Sequence, residues 1–103
     1  MIANTPEPPY YTVIFTSIRT NGDNGYDAMA NEMDELAKQQ NGYLGIESAR
    51  NELGITVSYW SSLEAIKNWK ANSQHLLAQK YGREKWYEHY KVRIGKIERD
   101  YNF

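Results

Sequence analysis

The chain contains no cysteine. Disulfides, thiolate metal sites and cysteine nucleophiles are therefore excluded. With only two histidines, His75 and His89, a zinc centre lacks its usual ligands. No apolar run approaches a membrane span, and residues 1–9 lack the charged-then-apolar pattern of a secretory signal. The expectation is a cytoplasmic protein that does not engage a membrane. A Gly-rich phosphate loop, a nucleophile elbow, a carboxylate dyad of defined spacing and an internal repeat are also missing. Excess charge of one sign is absent too: the net charge is −1, less basic than a nucleic-acid binder usually carries.

What the 103 residues do hold is aromatic: nine Tyr, three Trp and two Phe. Residues 57–90 contain all three tryptophans, both histidines and four of the tyrosines, and the chain is organised around that stretch. One small domain is expected over residues 10–103, with the Pro-rich residues 1–9 as a flexible lead-in. Charge is uneven along it. Residues 80–103 carry seven Lys/Arg against four Asp/Glu, while residues 1–79 carry five against nine. A basic last quarter could favour an anionic or phenolate ligand, but a solvated strand face with ion pairs is the plainer explanation.

Residues 10–19 (YYTVIFTSIR) are rich in β-branched and aromatic types and predict a strand. Both alternating sets are apolar: Tyr11, Val13 and Phe15 on one side, Tyr10, Ile14 and Ile18 on the other. Such a strand is buried on both faces. After the turn chemistry of residues 21–25 (NGDNG), Tyr26, Met29, Met33, Leu36 and Ala37 recur at helical spacing, with Asn24 as the expected cap and Gly42 as the left-handed residue past the end. Residues 43–50 and 55–60 read as strands joined by a short hairpin loop. Ser61 and Glu64 have the spacing of a reciprocal capping box. The helix it opens should turn Leu63, Ile66 and Trp69 inward and break at Asn72-Ser73, with a second piece ending at Gly82. Residues 88–103 form the last strand, with a bulge expected at Gly95, where the apolar phase changes. The order β-α-β-β-α-β is the ferredoxin-like split unit, an α+β fold with a four-stranded antiparallel sheet. Strands apolar on both sides then imply a homodimer through the face opposite the helices.

The strand ending SYW at residues 58–60, the helix SSLEAIKNW, His75 beyond it and the tail AQKYGREKWYEHYKVRIGKIER at residues 78–99 resemble the antibiotic biosynthesis monooxygenase (ABM) superfamily. The resemblance implies a dimeric α+β barrel with a pocket in each subunit between helices and sheet. It implies two chemistries. Some family enzymes oxidise polycyclic phenols with O₂ and no metal or flavin, the substrate anion acting as reductant. Others degrade haem, using a strand Asn, a helix Trp and a His ten residues after that Trp. Trp69 matches the helix Trp, but the tenth residue on is Gln79, and Thr16 and Ser17 stand where the strand Asn would be. Haem degradation is disfavoured and no cofactor is expected.

The candidate site follows. His75 is the candidate catalytic residue, a general base toward a phenol or hydroquinone. Trp60, Trp69 and Trp86 suit stacking on a flat ligand, with core packing as the plainer role for each. Tyr87 follows a glycine-containing turn and joins them as a candidate pocket residue, and Arg93 is a candidate partner for a substrate oxyanion. His89, between Glu88 and Tyr90, reads as structural. The expectation is a cofactor-independent oxygenase of a small aromatic or quinol-like compound, or else a non-catalytic ligand-binding dimer of the same fold. RNA binding is not expected. Tyr59 and Trp60 are adjacent and point to opposite faces, and no basic-Gly-aromatic strand motif is present.

Overall fold

A computed structural model of the chain describes residues 1–79 and 85–103. Its elements run β1 (Tyr10–Arg19), α1 (Tyr26–Lys38), β2 (Tyr43–Arg50), β3 (Gly54–Trp60), α2 (Leu63–Gln79) and β4 (Tyr87–Ile97). The four strands form one antiparallel sheet in the order β2-β3-β1-β4, the ferredoxin-like arrangement.

Register assigns the faces. Tyr11 lies opposite Trp60, and Val13 opposite both Ser58 and Ile94. Since Val13 and Trp60 pack with Ala37 of α1 and Ala65 and Ile66 of α2, this set faces the helices. Tyr10, Ile14, Ile18, Val57 and Tyr59 belong to the opposite, outer face. The two-sided apolar pattern of β1 is therefore real, and the helices cover one side of it.

Residues at the chain ends cross part of the outer face. The Ala3 N–H donates to Glu47 Oε2 at 2.8 Å, and the Tyr10 hydroxyl donates to Asp100 Oδ2 at 2.5 Å. Beyond them Ile14 and Val57 are half-buried, while Ile18 and Ile55 remain 41% and 42% exposed.

Both helix starts differ from the sequence reading by one residue. Asn24 does not cap α1. It takes a left-handed φ of 51°, and Asp23 accepts from the N–H groups of Gly25 and Asp27 at 2.9 and 3.3 Å. Ser62, not Ser61, caps α2, its Oγ accepting from the Ala65 N–H at 3.0 Å. The box partner three residues after Ser62 is then Ala65 rather than Glu64, so no reciprocal box forms. Leu63 becomes the first helical residue and is exposed rather than inward. Gly42 does take the left-handed conformation, φ 86°, and a Cβ there would lie 2.6 Å from the Ala65 Cβ. The helix end expected at Gly82 lies outside the described residues.

The break at Asn72-Ser73 is absent. Helix α2 runs uninterrupted from Leu63 to Gln79. The Asn72 side chain donates back to the Asn68 carbonyl at 3.0 Å and across to Gln40 Oε1 at 3.1 Å, and Ser73 Oγ donates to the Lys70 carbonyl at 3.0 Å. Polar side chains that can cap a new helix here bond to the helix they sit on. Strand β4 likewise passes through Gly95 without a register shift; the irregularity lies between the pairs Ile18–His89 and Arg19–Tyr87. The phase change of its apolar residues reflects a change of face: Ile94 lies on the helix side, and Ile97, opposite Tyr10, on the outer side.

Candidate functional site

The sequence-derived candidates do not converge on one cavity. Trp60 is fully buried and donates its indole N–H to Ser58 Oγ at 2.8 Å. Trp69 stacks on it at 5.8 Å between ring centroids and 22° between planes, and Tyr43 meets it edge-on at 5.7 Å. These rings fill the core under β3. Trp86 is also buried; its indole N–H donates to the Asn24 carbonyl at 2.8 Å, while the Thr20 N–H donates to the Trp86 carbonyl at 3.0 Å. It fastens the β1–α1 loop to the start of β4. Arg93 is exposed on β4 opposite Ile14, on the outer face.

His75 is exposed and borders a shallow groove of about 320 Å³ between α1 and α2, lined by Glu32, Glu35, Leu36, Gln39 and Asn72 among others. Six residues of unbroken helix rotate its side chain some 240° from Trp69. The shared Trp69–His75 cavity, which required a kink, is not formed.

Tyr87 is different. It lies at the centre of an aromatic cluster on the helix side of β1 and β4. Phe15 meets Tyr87 at 5.4 Å and Tyr90 at 5.3 Å, Tyr26 of α1 meets Tyr87 edge-on at 5.9 Å, and Tyr87 meets Tyr90 at 5.6 Å. Along the same face of β4 the next two residues are Val92 and Ile94, which stay 47% and 52% exposed because α1 and α2 cover the β2-β3-β1 side of the sheet. The result is an apolar and aromatic wall on the inner side of the edge strand.

Two cations border this wall at one end. The Arg19 guanidinium carbon lies 3.6 Å from the Tyr26 ring centroid, and that of Arg50 lies 5.7 Å from the same centroid. Arg50 also donates to the hydroxyl of Ser17, a fully buried residue. Burial above all, then the neighbouring Tyr26 and the hydrogen bond with it, push the Tyr87 phenol well above its ordinary pKa; Arg50 and Arg19 pull weakly the other way. The Tyr87 hydroxyl is thus engaged with that of Tyr26. Phe15, Tyr26, Tyr87, Tyr90, Val92 and Ile94 include neither a carboxylate nor an imidazole. The arrangement suits holding a planar, electron-rich ligand and stabilising its oxyanion more than it suits pulling off a tightly held proton.

Sequence reasoning named Tyr87 but not its neighbours. Tyr26 is absorbed in the helical stripe, and Arg19 and Arg50 at strand ends look like ordinary solvated charges. The usable signal is the phase Tyr90, Val92, Ile94, which becomes informative only when the register puts it beside Phe15 rather than Ile14.

The chain belongs to the family of the YqjZ protein and has the ferredoxin-like α+β fold of solved proteins described as antibiotic biosynthesis monooxygenases. It is 48% identical over 100 residues to the uncharacterized protein YqjZ of Bacillus subtilis (strain 168), covering 95% of this chain and 88% of that one. No family model matches the sequence. Among solved structures, SnoaB, a cofactor-independent oxygenase from Streptomyces nogalater, superposes with a TM-score of 0.67 over 92% of this chain and 97% of its own, at 9% identity. A Nitrosomonas europaea protein provisionally described as an antibiotic biosynthesis monooxygenase does so with a TM-score of 0.65 over 95% and 96%, at 11% identity. Identities this low carry the fold and nothing finer.

Proposed function

We propose that this protein is a cofactor-independent oxygenase of the ABM type, acting on a small phenolic or quinol-like aromatic at the inner wall of β4. The observation that supports this reading most is the uncovered wall itself: Val92 and Ile94, about half exposed, continue the Phe15–Tyr87–Tyr90 cluster on the side where the helices leave room. In this reading the substrate ionises readily and its anion supplies the electrons. O₂ is reduced, one oxygen atom entering the substrate and the other leaving as water. A hydroxyl of the Tyr26–Tyr87–Tyr90 cluster donates a hydrogen bond to the substrate oxyanion.

A homodimer belongs to the same proposal. Ile14, Ile18, Ile55 and Val57 form an apolar patch on the outer face that a second copy would cover sheet to sheet. One observation favours a second reading, a ligand-binding dimer without turnover: His75, the candidate base, lies on the α1–α2 groove and not on the wall. Oxygen uptake by the purified protein with a panel of quinols and phenols separates the two. Binding that quenches tyrosine emission without oxygen consumption supports the second reading; consumption with at least one compound supports the first.

A further inference from the structure

We propose that Arg19 and Arg50 form a binding site for a small oxyanion, a carboxylate or phosphate group, in the cleft between the β1–α1 loop and the β2–β3 hairpin. The cleft measures about 350 Å³ and is lined by Arg19, Thr20, Asn21, Asp23, Arg50 and Glu52 among others. Two guanidinium groups lie near one tyrosine ring and repel each other, and neither has an ion-pair partner among the described residues. Among the described residues one ion pair is present, between Lys38 and Glu35, and it lies elsewhere.

The hydrogen bonding is equally unbalanced. Arg19 donates from Nη2 to the Gly22 carbonyl at 3.3 Å, a weak bond, and its Nε–H, shielded from water, has no acceptor among the described residues. That dry, unused N–H costs stability, and the outer N–H groups of the guanidinium are the ones an oxyanion in the cleft would meet. Arg50 is seated rather than dangling. Its guanidinium bonds the Ser17 hydroxyl and lies flat over Gly54, where a Cβ would collide with it, 2.6 Å from Nε alone. Glycine at 54 is therefore the residue that makes room for this fork.

The two carboxylates near the cleft do not play the ligand's part. Both oxygens of Asp23 are taken by the N–H groups at the start of α1, and Glu52 sits in the exposed hairpin turn. A planar carboxylate or a phosphate fits the forked donors of two arginines, which is why arginine pairs recur at such sites. The site stands whether or not the β4 wall oxidises anything.

The test uses inorganic phosphate, acetate and benzoate as probes, with chloride at matched ionic strength as reference, and reads both the thermal midpoint and the ¹H–¹⁵N resonance of Arg19 Nε. Phosphate or benzoate should raise the midpoint of the wild type and shift the Arg19 Nε–H signal. Arg50→Gln and Arg19→Gln should each weaken binding about tenfold or more. Benzoate ahead of acetate identifies a ring-bearing carboxylate as the natural ligand, and phosphate ahead of both identifies a phosphate group. Glu52→Gln, which touches no fold contact of either arginine, should tighten binding by removing a like charge; it keeps the test decisive if the arginine variants do not fold. The proposal is overturned if no probe exceeds chloride, if the Nε–H signal stays fixed, or if Glu52→Gln weakens binding.

Discussion

At the scale of single residues, the tryptophans and the outer-face carboxylate carry the clearest consequences. Trp60 is enclosed by Tyr43, Trp69 and the Ser58 hydroxyl, so Trp60→Ala removes ring packing and leaves that hydroxyl without its donor. A loss of about 3–5 kcal/mol in denaturant unfolding is expected. Glu47 on the outer face accepts from the Tyr59 hydroxyl at 2.7 Å and from the Ala3 N–H, and these bonds, Tyr59 first, hold its carboxyl below the ordinary value of 4.5. A depressed folded-state pKa means stability that is present above pH 4.5 and lost as pH falls through the folded value. Burial, then the bond to Glu47, push Tyr59 up to about 12. Its contribution is full below pH 10 and lost as pH rises through 12. Unfolding followed across pH should show Glu47→Gln less sensitive to acid than the wild type.

At the scale of elements, the first three strands were legible, whereas the last ends at Ile97 and not at residue 103, and the punctuation of the helices was not legible. Alternation in residues 10–19 and 43–50 specifies β1 and β2 to the residue, because a strand's period depends on which side chains tolerate burial. Ser61-Ser62 offers two serines for one cap, and nothing local decides between them. The chain decides at Ser61, whose N–H is taken by the Gly42 carbonyl at 2.8 Å, leaving Ser62 to open the helix. Ser62→Ala should then cost about 1 kcal/mol and Ser61→Ala less, by thermal unfolding. Asn72-Ser73 was misread for a related reason: Asn and Ser bond a helix's own carbonyls as readily as they start a new one. That misreading also carried the candidate cavity, since Trp69 and His75 meet only if α2 bends. The tryptophans suit ligand stacking by type with core packing as the plainer role, and three-dimensional neighbours assign Trp60 and Trp86 to packing. Which face of β4 lies open depends on register, and composition holds no record of it.

At the scale of the whole molecule, the sheet presents two surfaces with different prospects. The outer patch of Ile14, Ile18, Ile55 and Val57 is proposed to pair with a second copy, an interface of about 1,500 Å² in total for a stable dimer. Light scattering at micromolar concentration should return the dimer mass, and Ile55→Glu should return the monomer mass without unfolding the domain. No helix among the described residues is long and apolar enough to cross a membrane. The inner wall lies on the helix side of the sheet, beyond the part that α1 and α2 cover, and is proposed as the place of chemistry. The most direct measurement of that claim is oxygen consumption by metal-free protein with quinols and phenols, compared between the wild type, Val92→Trp and His75→Ala. The account predicts consumption by the wild type, its loss in Val92→Trp, where the indole fills the wall, and its persistence in His75→Ala. Consumption that survives Val92→Trp and disappears in His75→Ala would contradict it, moving the chemistry to the groove between the helices.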